Sequence, residues 1–293
     1  VYEFSRKYVI CDIGAALIGD EFPYQCLMDS GLAKVIGFEP DLDAADRLQA
    51  LPGDHEFLPY FIADGQNHKF HYNSLPLTSS LLPSNRKFLA HYQHLLDKMT
   101  TVDEVACKTL TLDDALGDRP VDFLKIDVQG GTKMIIENAP NVMARCPLVQ
   151  CEVEFNPLYE NQPLFSDVDI LMRQYGFMLY GIDGKKRMMP KPLMAERMQD
   201  YKFLGQDAWA DFIYVPDHDR LAEMDVEDAM RLGLFASLLF GFNDYSMYVF
   251  DRLDQAHGTN LLVDFAFAMR DRKPIHFSID GKPGSIAGGP SQA

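Results

Sequence analysis

The sequence lacks paired cysteines and long apolar runs. A disulfide framework or a structural zinc site needs cysteines at paired spacings, and here they are odd in number, scattered and without a CxxC motif. The five cysteines are Cys11, Cys26, Cys107, Cys146 and Cys151. The longest apolar run, residues 232–242, is shorter than the roughly 20 residues that a membrane-spanning helix needs. We therefore expect a reduced, cytoplasmic protein that does not span a membrane.

Basic residues are scarce relative to acidic ones, and no signal peptide opens the chain. The 293 residues include 27 Lys and Arg against 43 Asp and Glu, a formal net charge of -16. Because nucleic acids and anionic lipids are bound mainly through Lys and Arg, neither is an expected partner. The chain begins at Val1, without Met and close to the first predicted strand, which leaves open a preceding segment.

The first part of the chain alternates short β-rich runs with helical patterns. This alternation is typical of a parallel sheet with crossover helices, and it predicts a doubly wound, mostly parallel α/β domain over residues 1–216. Residues 74–104 break the rhythm, so we expect an insertion there, with a helix at 88–99. The predicted strands cover residues 8–12, 34–39, 55–62, 69–73, 108–112, 121–127, 148–154, 177–182 and 211–215.

A boundary is predicted at Pro216. Beyond it, apolar residues recur at helical spacing and predict a helical appendage over residues 217–278. Its apolar faces are expected to pack on each other or on a second subunit, which would make a homo-oligomer. Residues 279–293 are rich in Gly, Pro and Ser, and they predict a disordered tail.

A glycine turn follows the first predicted strand. The strand ends at Asp12, and Gly14 and Gly19 follow, which is too few glycines for the GxGxxG motif of dinucleotide sites. A carboxylate before the turn repels a pyrophosphate and suits a cationic ligand such as S-adenosylmethionine. Glu39, at the end of the second strand, is placed to accept two ribose hydroxyl hydrogen bonds. Two structural alternatives stay open, in which Asp12 caps the turn and Glu39 is a solvated strand end.

Five sequence strings resemble the FkbM-type methyltransferases, a branch of the class I S-adenosylmethionine-dependent fold. They are residues 11–16 (CDIGAA), 37–40 (GFEP), 109–113 (TLTLD), 122–130 (DFLKIDVQG) and 147–152 (PLVQCE). The resemblance runs from about residue 8 to 183 and implies a seven-stranded Rossmann-like sheet that binds S-adenosylmethionine. It also implies that Ala15 and Pro40 contact the cofactor. The chain departs from the family pattern at Ala16, Gln129 and Thr132, and the last two changes remove a carboxylate.

Candidate catalytic residues lie at the predicted strand ends. Asp127 and Glu152 share one sheet edge with the cofactor residues, so either could take a proton from an acceptor hydroxyl, or the pair could hold a divalent cation. Asp127 is the first choice, and the alternative is that it only orders the following turn. Lys125 alternates with Asp127 and points to the same side, which makes it a candidate in the same site or in a structural ion pair with Asp127.

Further candidates lie in loops. Asp64 follows the third strand and could accept from the adenine amino group, although a simple turn residue fits equally well. Ser79 and Ser80, before Leu81, match a Ser-Ser-Leu string of the family and could contact the cofactor or the acceptor. Ser80 is the predicted cofactor ligand of the two. No metal ligand is assigned.

These observations predict an S-adenosylmethionine-dependent methyltransferase. The resemblance implies O-methylation of a hydroxyl or carboxyl on a small molecule, sugar or polyketide-like acceptor. A cofactor-binding or scaffolding protein with weakened catalysis is the alternative, since Ala16, Gln129 and Thr132 depart from the family pattern. An NAD-dependent oxidoreductase is disfavoured because GxGxxG is missing.

Overall fold

A computed structural model describes residues 2–15, 22–191 and 205–287. Its strands are β1 (Tyr2–Phe4), β2 (Tyr8–Ile13), β3 (Ala33–Phe38), β4 (His55–Leu58), β5 (Phe61–Ile62), β6 (Asn67–Asn73), β7 (Thr101–Leu110), β8 (Phe123–Ile126), β9 (Val149–Glu154), β10 (Phe177–Met188), β11 (Gln206–Pro216), β12 (Ile275–Ile279) and β13 (Lys282–Ile286). Its α-helices are α1 (Gln25–Asp29), α2 (Leu42–Gln49), α3 (Arg86–Leu89), α4 (Leu95–Lys98), α5 (Leu112–Leu116), α6 (Thr132–Glu137), α7 (Pro140–Arg145), α8 (Phe165–Gln174), α9 (His218–Glu223), α10 (Val226–Phe240), α11 (Asn243–His257) and α12 (Leu261–Arg270). Among the described residues, no helix is both long and apolar enough to cross a bilayer.

Seven strands form the main sheet, in the order β10-β11-β9-β8-β2-β3-β4. All neighbours from β9 to β4 are parallel, whereas β11 is antiparallel to both β9 and β10. The predicted doubly wound, mostly parallel seven-stranded sheet is therefore confirmed. The strand order reverses between β2 and β8, and ligands of such sheets bind beyond the carboxyl ends of the strands at this point.

Helices cover both faces of the sheet, and each face has its own apolar core. On one face the Phe235 ring of α10 lies 5.1 Å from Tyr8 and 5.4 Å from Phe123, between ring centroids. The predicted C-terminal helices are present. They share a core with strands β2 and β8, because the apolar face of α10 covers a sheet face that would otherwise be exposed to water.

The prediction of a disordered tail over residues 279–293 is wrong for the first part of this range. Residues 282–286 form β13, which pairs antiparallel with β12, and β12 pairs in parallel with β1. The two residues between these strands, Asp280 and Gly281, both have positive φ angles, 48° and 75°. Asp-Gly in this conformation makes a tight two-residue hairpin turn, so a Gly-containing segment forms strands here. The prediction for residues 288–293 lies outside the described residues.

The segment between β5 and β8 also differs from its prediction. The expected third strand is divided at Pro59, so that β4 joins the main sheet and β5 pairs with β7 in a second sheet of order β5-β7-β6. The helix expected at 88–99 is replaced by the short helices α3 and α4. His94 stands between them with a φ of 59°, which a continuous right-handed helix cannot accommodate.

Candidate active site

A cavity of about 790 Å³ lies at the carboxyl edge of β2, β3, β8 and β9. Its volume falls within the roughly 300 to 1,000 Å³ that is usual for small-molecule sites. The segment from Leu75 to Ser79 and the aromatic side chains of Tyr60, Phe61, Phe70 and Tyr72 form part of its wall. Six of the residues chosen from the sequence also line it: Gly14, Glu39, Pro40, Lys125, Asp127 and Glu152.

Asp12 lies behind this wall rather than in it. It is 1% exposed, and both carboxylate oxygens have partners within the chain. The Tyr24 hydroxyl donates to Oδ2 at 2.8 Å, and Lys125 Nζ donates to Oδ1 at 3.1 Å. The sequence left open a structural ion pair between Lys125 and Asp127, and the structure pairs Lys125 with Asp12 instead. Burial lowers the pKa of Lys125, but the carboxylates of Asp12 and Asp127 outweigh it and hold this pKa above its ordinary value.

Glu39 occupies the end of β3 on the cavity wall, as the sequence predicts. Its Oε1 accepts the backbone N–H of Asp41 at 2.9 Å. Burial raises the pKa of Glu39, and the neighbouring charge of Asp41 adds to this effect. The Asp41 side chain accepts the N–H of Ala44 and caps α2. The cap fixes the chain directly after Glu39.

Three other candidates do not line the cavity in the part of the chain that the structure describes. Ala15 is fully buried. Asp64 accepts from the Gln66 N–H at 2.9 Å and contacts His68 Nε2 at 2.8 Å, which is the turn role that the sequence left open. Ser80 is 1% exposed and donates to the Gln129 carbonyl oxygen at 2.6 Å, whereas its neighbour Ser79 lines the cavity. Ala16 and Gly19 lie outside the described residues.

Asp127 and Glu152 meet across neighbouring strands. Ile126 of β8 is in register with Cys151 of β9, so the next residue on each strand brings its carboxyl group to the same edge. Gln129 Nε2 donates to Asp127 Oδ1 at 3.1 Å and to Glu152 Oε1 at 2.6 Å. The two predicted acids are therefore bridged by one amide group.

Negative charge is concentrated around Glu152. Burial raises its pKa well above the ordinary value, and the charges of Asp127, Glu154 and Asp211 raise it further. Glu154, on the same strand, is 2% exposed, and burial raises its pKa to about 8. Of the two, Glu152 lines the cavity, and a carboxyl group with a pKa above neutrality in a cavity wall is a candidate for proton transfer.

Gln129 is a site residue that the sequence does not predict, since it stands out there only as the loss of a family carboxylate. Its φ of 55° lies in the left-handed region, where a non-glycine residue is uncommon. The one available sign in the sequence was its place between Asp127 and Gly130. Lys98, Lys186 and Trp209 also line the cavity, and nothing in the sequence indicated that they would.

The strand order, the antiparallel β11 and a cavity at the carboxyl edge together define a class I methyltransferase fold. Residues 12–179 match the family described as the methyltransferase FkbM domain, which is more than half of the chain. The chain belongs to this family of S-adenosylmethionine-dependent methyltransferases. No curated protein matches the sequence.

Solved methyltransferase structures are similar to the chain at low sequence identity. One is the magnesium protoporphyrin IX methyltransferase of Synechocystis PCC 6803 with bound S-adenosylmethionine, at 12% identity and a TM-score of 0.35, covering 72% of this chain and 71% of that one. Another is an S-adenosylmethionine-dependent methyltransferase of Methanosarcina mazei, at 9% identity and a TM-score of 0.31, covering 73% and 94%.

The side chains that line the cavity fit S-adenosylmethionine. Aromatic walls at Phe38, Phe61 and Phe70 suit an adenine ring, and the Glu39 carboxylate at the strand end suits ribose hydroxyls. The described residues fit a metal ion less well. Within residues 2–15, 22–191 and 205–287, no group of three or more His, Cys, Asp or Glu side chains is arranged to hold one.

Proposed function

We propose that the protein transfers a methyl group to a hydroxyl of a small molecule, sugar or polyketide-like acceptor. Membership of the FkbM family supports the cofactor, S-adenosylmethionine, which supplies the methyl group when it is bound. The acceptor class is supported by the acids that line the cavity. A carboxylate acceptor would meet the charge around Asp127 and Glu152, so a neutral hydroxyl is favoured over a carboxyl group.

The bridged pair of Asp127 and Glu152 is the observation that carries this proposal. An acceptor hydroxyl must lose its proton as its oxygen gains a methyl group, so a nearby base is needed. Asp127 faces the cavity from the end of β8 and is the proposed base. Glu152, whose pKa is raised by burial and by the charge of Asp127, is the proposed neighbour that holds a proton at neutral pH.

The cofactor is proposed to lie along the ends of β2 and β3. Gly14 brings the backbone to the cavity wall with a φ of 80°, which glycine adopts readily. Glu39 is the proposed acceptor of ribose hydrogen bonds, and Pro40 follows it on the same wall. Lys125 lines the cavity but is held by Asp12, and we propose that it orients the site through this ion pair.

A cofactor-binding protein with weakened catalysis is the second candidate. It is favoured by the missing family carboxylates at Gln129 and Thr132. Thr132 is 3% exposed, and its hydroxyl donates to the backbone carbonyl of Glu152 at 2.9 Å. It therefore holds the backbone of β9 and not a ligand. The two candidates share a cofactor and differ in turnover.

Calorimetry and a turnover assay separate these functions. We expect S-adenosylhomocysteine to bind and NAD not to bind. With S-adenosylmethionine and a panel of hydroxylated sugars and macrolactones, we expect release of S-adenosylhomocysteine. Asp127→Asn should keep the affinity for S-adenosylhomocysteine and lose at least about 100-fold in turnover, the usual contribution of a positioned base.

Each contrary result has a definite meaning. Binding of NAD without binding of S-adenosylhomocysteine would overturn the methyltransferase proposal. Binding without turnover on the whole panel would favour the second candidate. Full turnover by Asp127→Asn would remove Asp127 from catalysis.

A further inference from the structure

One amide group lies between the two acids of the candidate active site. The Nε2 atom of Gln129 carries two hydrogens, and it lies 3.1 Å from Asp127 Oδ1 and 2.6 Å from Glu152 Oε1. Each hydrogen therefore has its own carboxyl oxygen. All three side chains line the cavity.

The rest of Gln129 is held by groups outside this pair. Its side-chain oxygen, Oε1, accepts from the Tyr159 hydroxyl at 3.2 Å, and that hydroxyl also lies 2.9 Å from the Thr78 carbonyl oxygen. Its backbone carbonyl accepts from the buried Ser80 hydroxyl. Tyr159 is fully buried. The single hydrogen of the Tyr159 hydroxyl is shared between Gln129 Oε1 and the Thr78 carbonyl oxygen, and the two carboxyl groups on the other side favour the orientation in which Nε2 faces the acids.

The backbone of Gln129 adopts a conformation that a side chain makes costly. Its φ of 55° is left-handed, and Gly130, with a φ of 89°, follows directly. Strained residues of this kind persist where the surrounding structure holds them, and they cluster at functional sites. The Ser80 hydrogen bond supplies such a constraint from the segment that covers the cavity.

We propose that Gln129 is a positioning residue that aims the Asp127 and Glu152 carboxyl groups at the cavity by donating one amide hydrogen to each. This inference rests on the proposed function, in which Asp127 takes the proton of the acceptor hydroxyl. A glutamate here could not donate to both acids, since an ionised carboxylate has no hydrogen to donate. Gln129 therefore replaces a family carboxylate, which accepts hydrogen bonds, with an amide that donates them.

The charges around Glu152 explain why a donor is needed. Asp127, Glu154 and Asp211 all oppose its ionisation, from β8, β9 and β11. The cation of Lys125, on β8, is paired with Asp12. Hydrogen bonds to the ionised form favour that form, and the Gln129 amide lowers the pKa of Glu152 in this way. Strands β8 and β9 fix the backbones of Asp127 and Glu152, so the two carboxyl groups stay close when the Gln129 amide is removed. Loss of this donor should therefore raise the pKa of Glu152.

Carbon-13 NMR of the Asp and Glu carboxyl groups in the full chain tests this inference without an acceptor. In the wild type, we expect two Glu carboxyls, those of Glu152 and Glu154, to titrate above neutral pH. The signal that vanishes in Glu152→Gln is assigned to Glu152. Gln129→Ala should raise its midpoint by about one pH unit, the effect of losing one good hydrogen bond to a carboxylate. Gln129→Glu keeps the shape, adds a negative charge and should raise the midpoint at least as far.

Gln255→Ala is the matched control, because the Gln255 amide also donates to a carboxylate, Asp251 Oδ2 at 2.7 Å, but on the exposed surface of α11. It should leave the Glu152 midpoint unchanged. An unchanged midpoint in Gln129→Ala would overturn the inference, whatever Gln129→Glu shows, because the added charge raises the midpoint by itself. If Gln129→Ala does not fold, as judged by circular dichroism, Gln129→Met decides the question, since it keeps the side-chain length and removes the donor without adding a charge.

The same samples separate this inference from the proposed function. Calorimetry of the wild type with S-adenosylhomocysteine tests the function alone. If this ligand does not bind but the midpoint moves as expected, the proposed function fails and Gln129 still orients the acids. If it binds and the midpoint does not move, the function stands and the role of Gln129 is wrong.

Discussion

Asp12 and Lys125 are register partners on the adjacent parallel strands β2 and β8, and their side chains form an ion pair of 3.1 Å. The Asp12 side chain is 2% exposed and that of Lys125 is 13% exposed. The charges of Asp12 and Asp127 both raise the pKa of Lys125. The pair therefore links the buried sheet to the cavity wall.

Breaking this pair should destabilise the protein strongly. Asp12→Asn leaves the Lys125 cation without its partner, and removing one member of a buried ion pair costs about 3 to 5 kcal/mol. The free energy of unfolding in urea measures the loss.

Two further variants give the controls for this prediction. Glu137→Gln breaks the more exposed pair of Lys133 and Glu137, and it should change the stability little. The double variant Asp12→Asn with Lys125→Met should lose less than Asp12→Asn alone, because no unpaired charge stays buried. A larger loss in the double variant would contradict this account.

Gly14 should not tolerate a side chain. A Cβ atom at this position would lie 2.0 Å from the backbone oxygen of Asp127, and its φ is 80°. Gly31 has a similar φ of 75° but open space around the same position. Gly31→Ala should therefore cost only the left-handed conformation, roughly 1 to 2 kcal/mol.

Gly14→Ala should cost more than Gly31→Ala and should also weaken S-adenosylhomocysteine binding, since the Asp127 backbone must move. Thermal unfolding and calorimetry on both variants make the comparison. Equal losses of stability, with unchanged affinity, would show that contact with Asp127 does not constrain Gly14.

Glu39→Gln should weaken S-adenosylhomocysteine binding by about 1 to 3 kcal/mol, because hydrogen bonds to a charged acceptor are lost. Binding should also weaken as the pH falls through the pKa of Glu39, which burial raises above its ordinary value of 4.5, since a protonated carboxyl is the poorer acceptor. Calorimetry at several pH values measures both effects. Asp43→Asn, at an exposed position of α2, removes an equal charge and should leave the affinity nearly unchanged. Equal affinities for the wild type and Glu39→Gln would exclude Glu39 as a ribose ligand.

Glu154 should make the stability of the protein depend on pH. Burial raises its pKa from 4.5 to about 8 in the folded state, so the folded state binds more protons than the unfolded state between these values. The stabilisation from protonated Glu154 is therefore fully present below about pH 4.5 and is lost as the pH rises to about 8. The free energy of unfolding falls over this range by at most about 1.4 kcal/mol per pH unit.

Glu154→Gln should remove this loss. Urea unfolding from pH 5 to 8 should show a flatter decline for the variant than for the wild type. The exposed Glu160→Gln is the control and should follow the wild type. A parallel decline in Glu154→Gln and the wild type would show that Glu154 does not bind the additional proton.

The strands of the main sheet were largely predictable, because buried strands of a parallel sheet appear as short, continuous apolar runs. Strand β2 is buried at every position, and its predicted range, 8–12, differs from Tyr8–Ile13 by one residue. The sequence did not predict that β4 and β5 belong to different sheets. Pro59 between them indicates only that the strand is interrupted, and it does not specify which strand β5 pairs with.

The candidate site was partly predictable for a similar reason. Glu39, Asp127 and Glu152 follow parallel strands, and the carboxyl ends of such strands share one edge. Asp12 follows the same rule, yet its side chain meets Lys125 on the neighbouring strand. Ser80 matched a family string and contacts the Gln129 backbone instead of the cavity.

The sequence by itself determined the doubly wound α/β class and the FkbM family strings, because alternating strand and helix patterns and short motifs are local properties. Only the tertiary structure decided that the C-terminal helices complete the sheet's core, that Asp12 neutralises Lys125, and that the Gln129 amide bridges two acids. Contacts between residues far apart in the chain depend on which strands become neighbours. Local hydrophobic periodicity does not encode that order, since the same apolar run can serve any central position of a sheet.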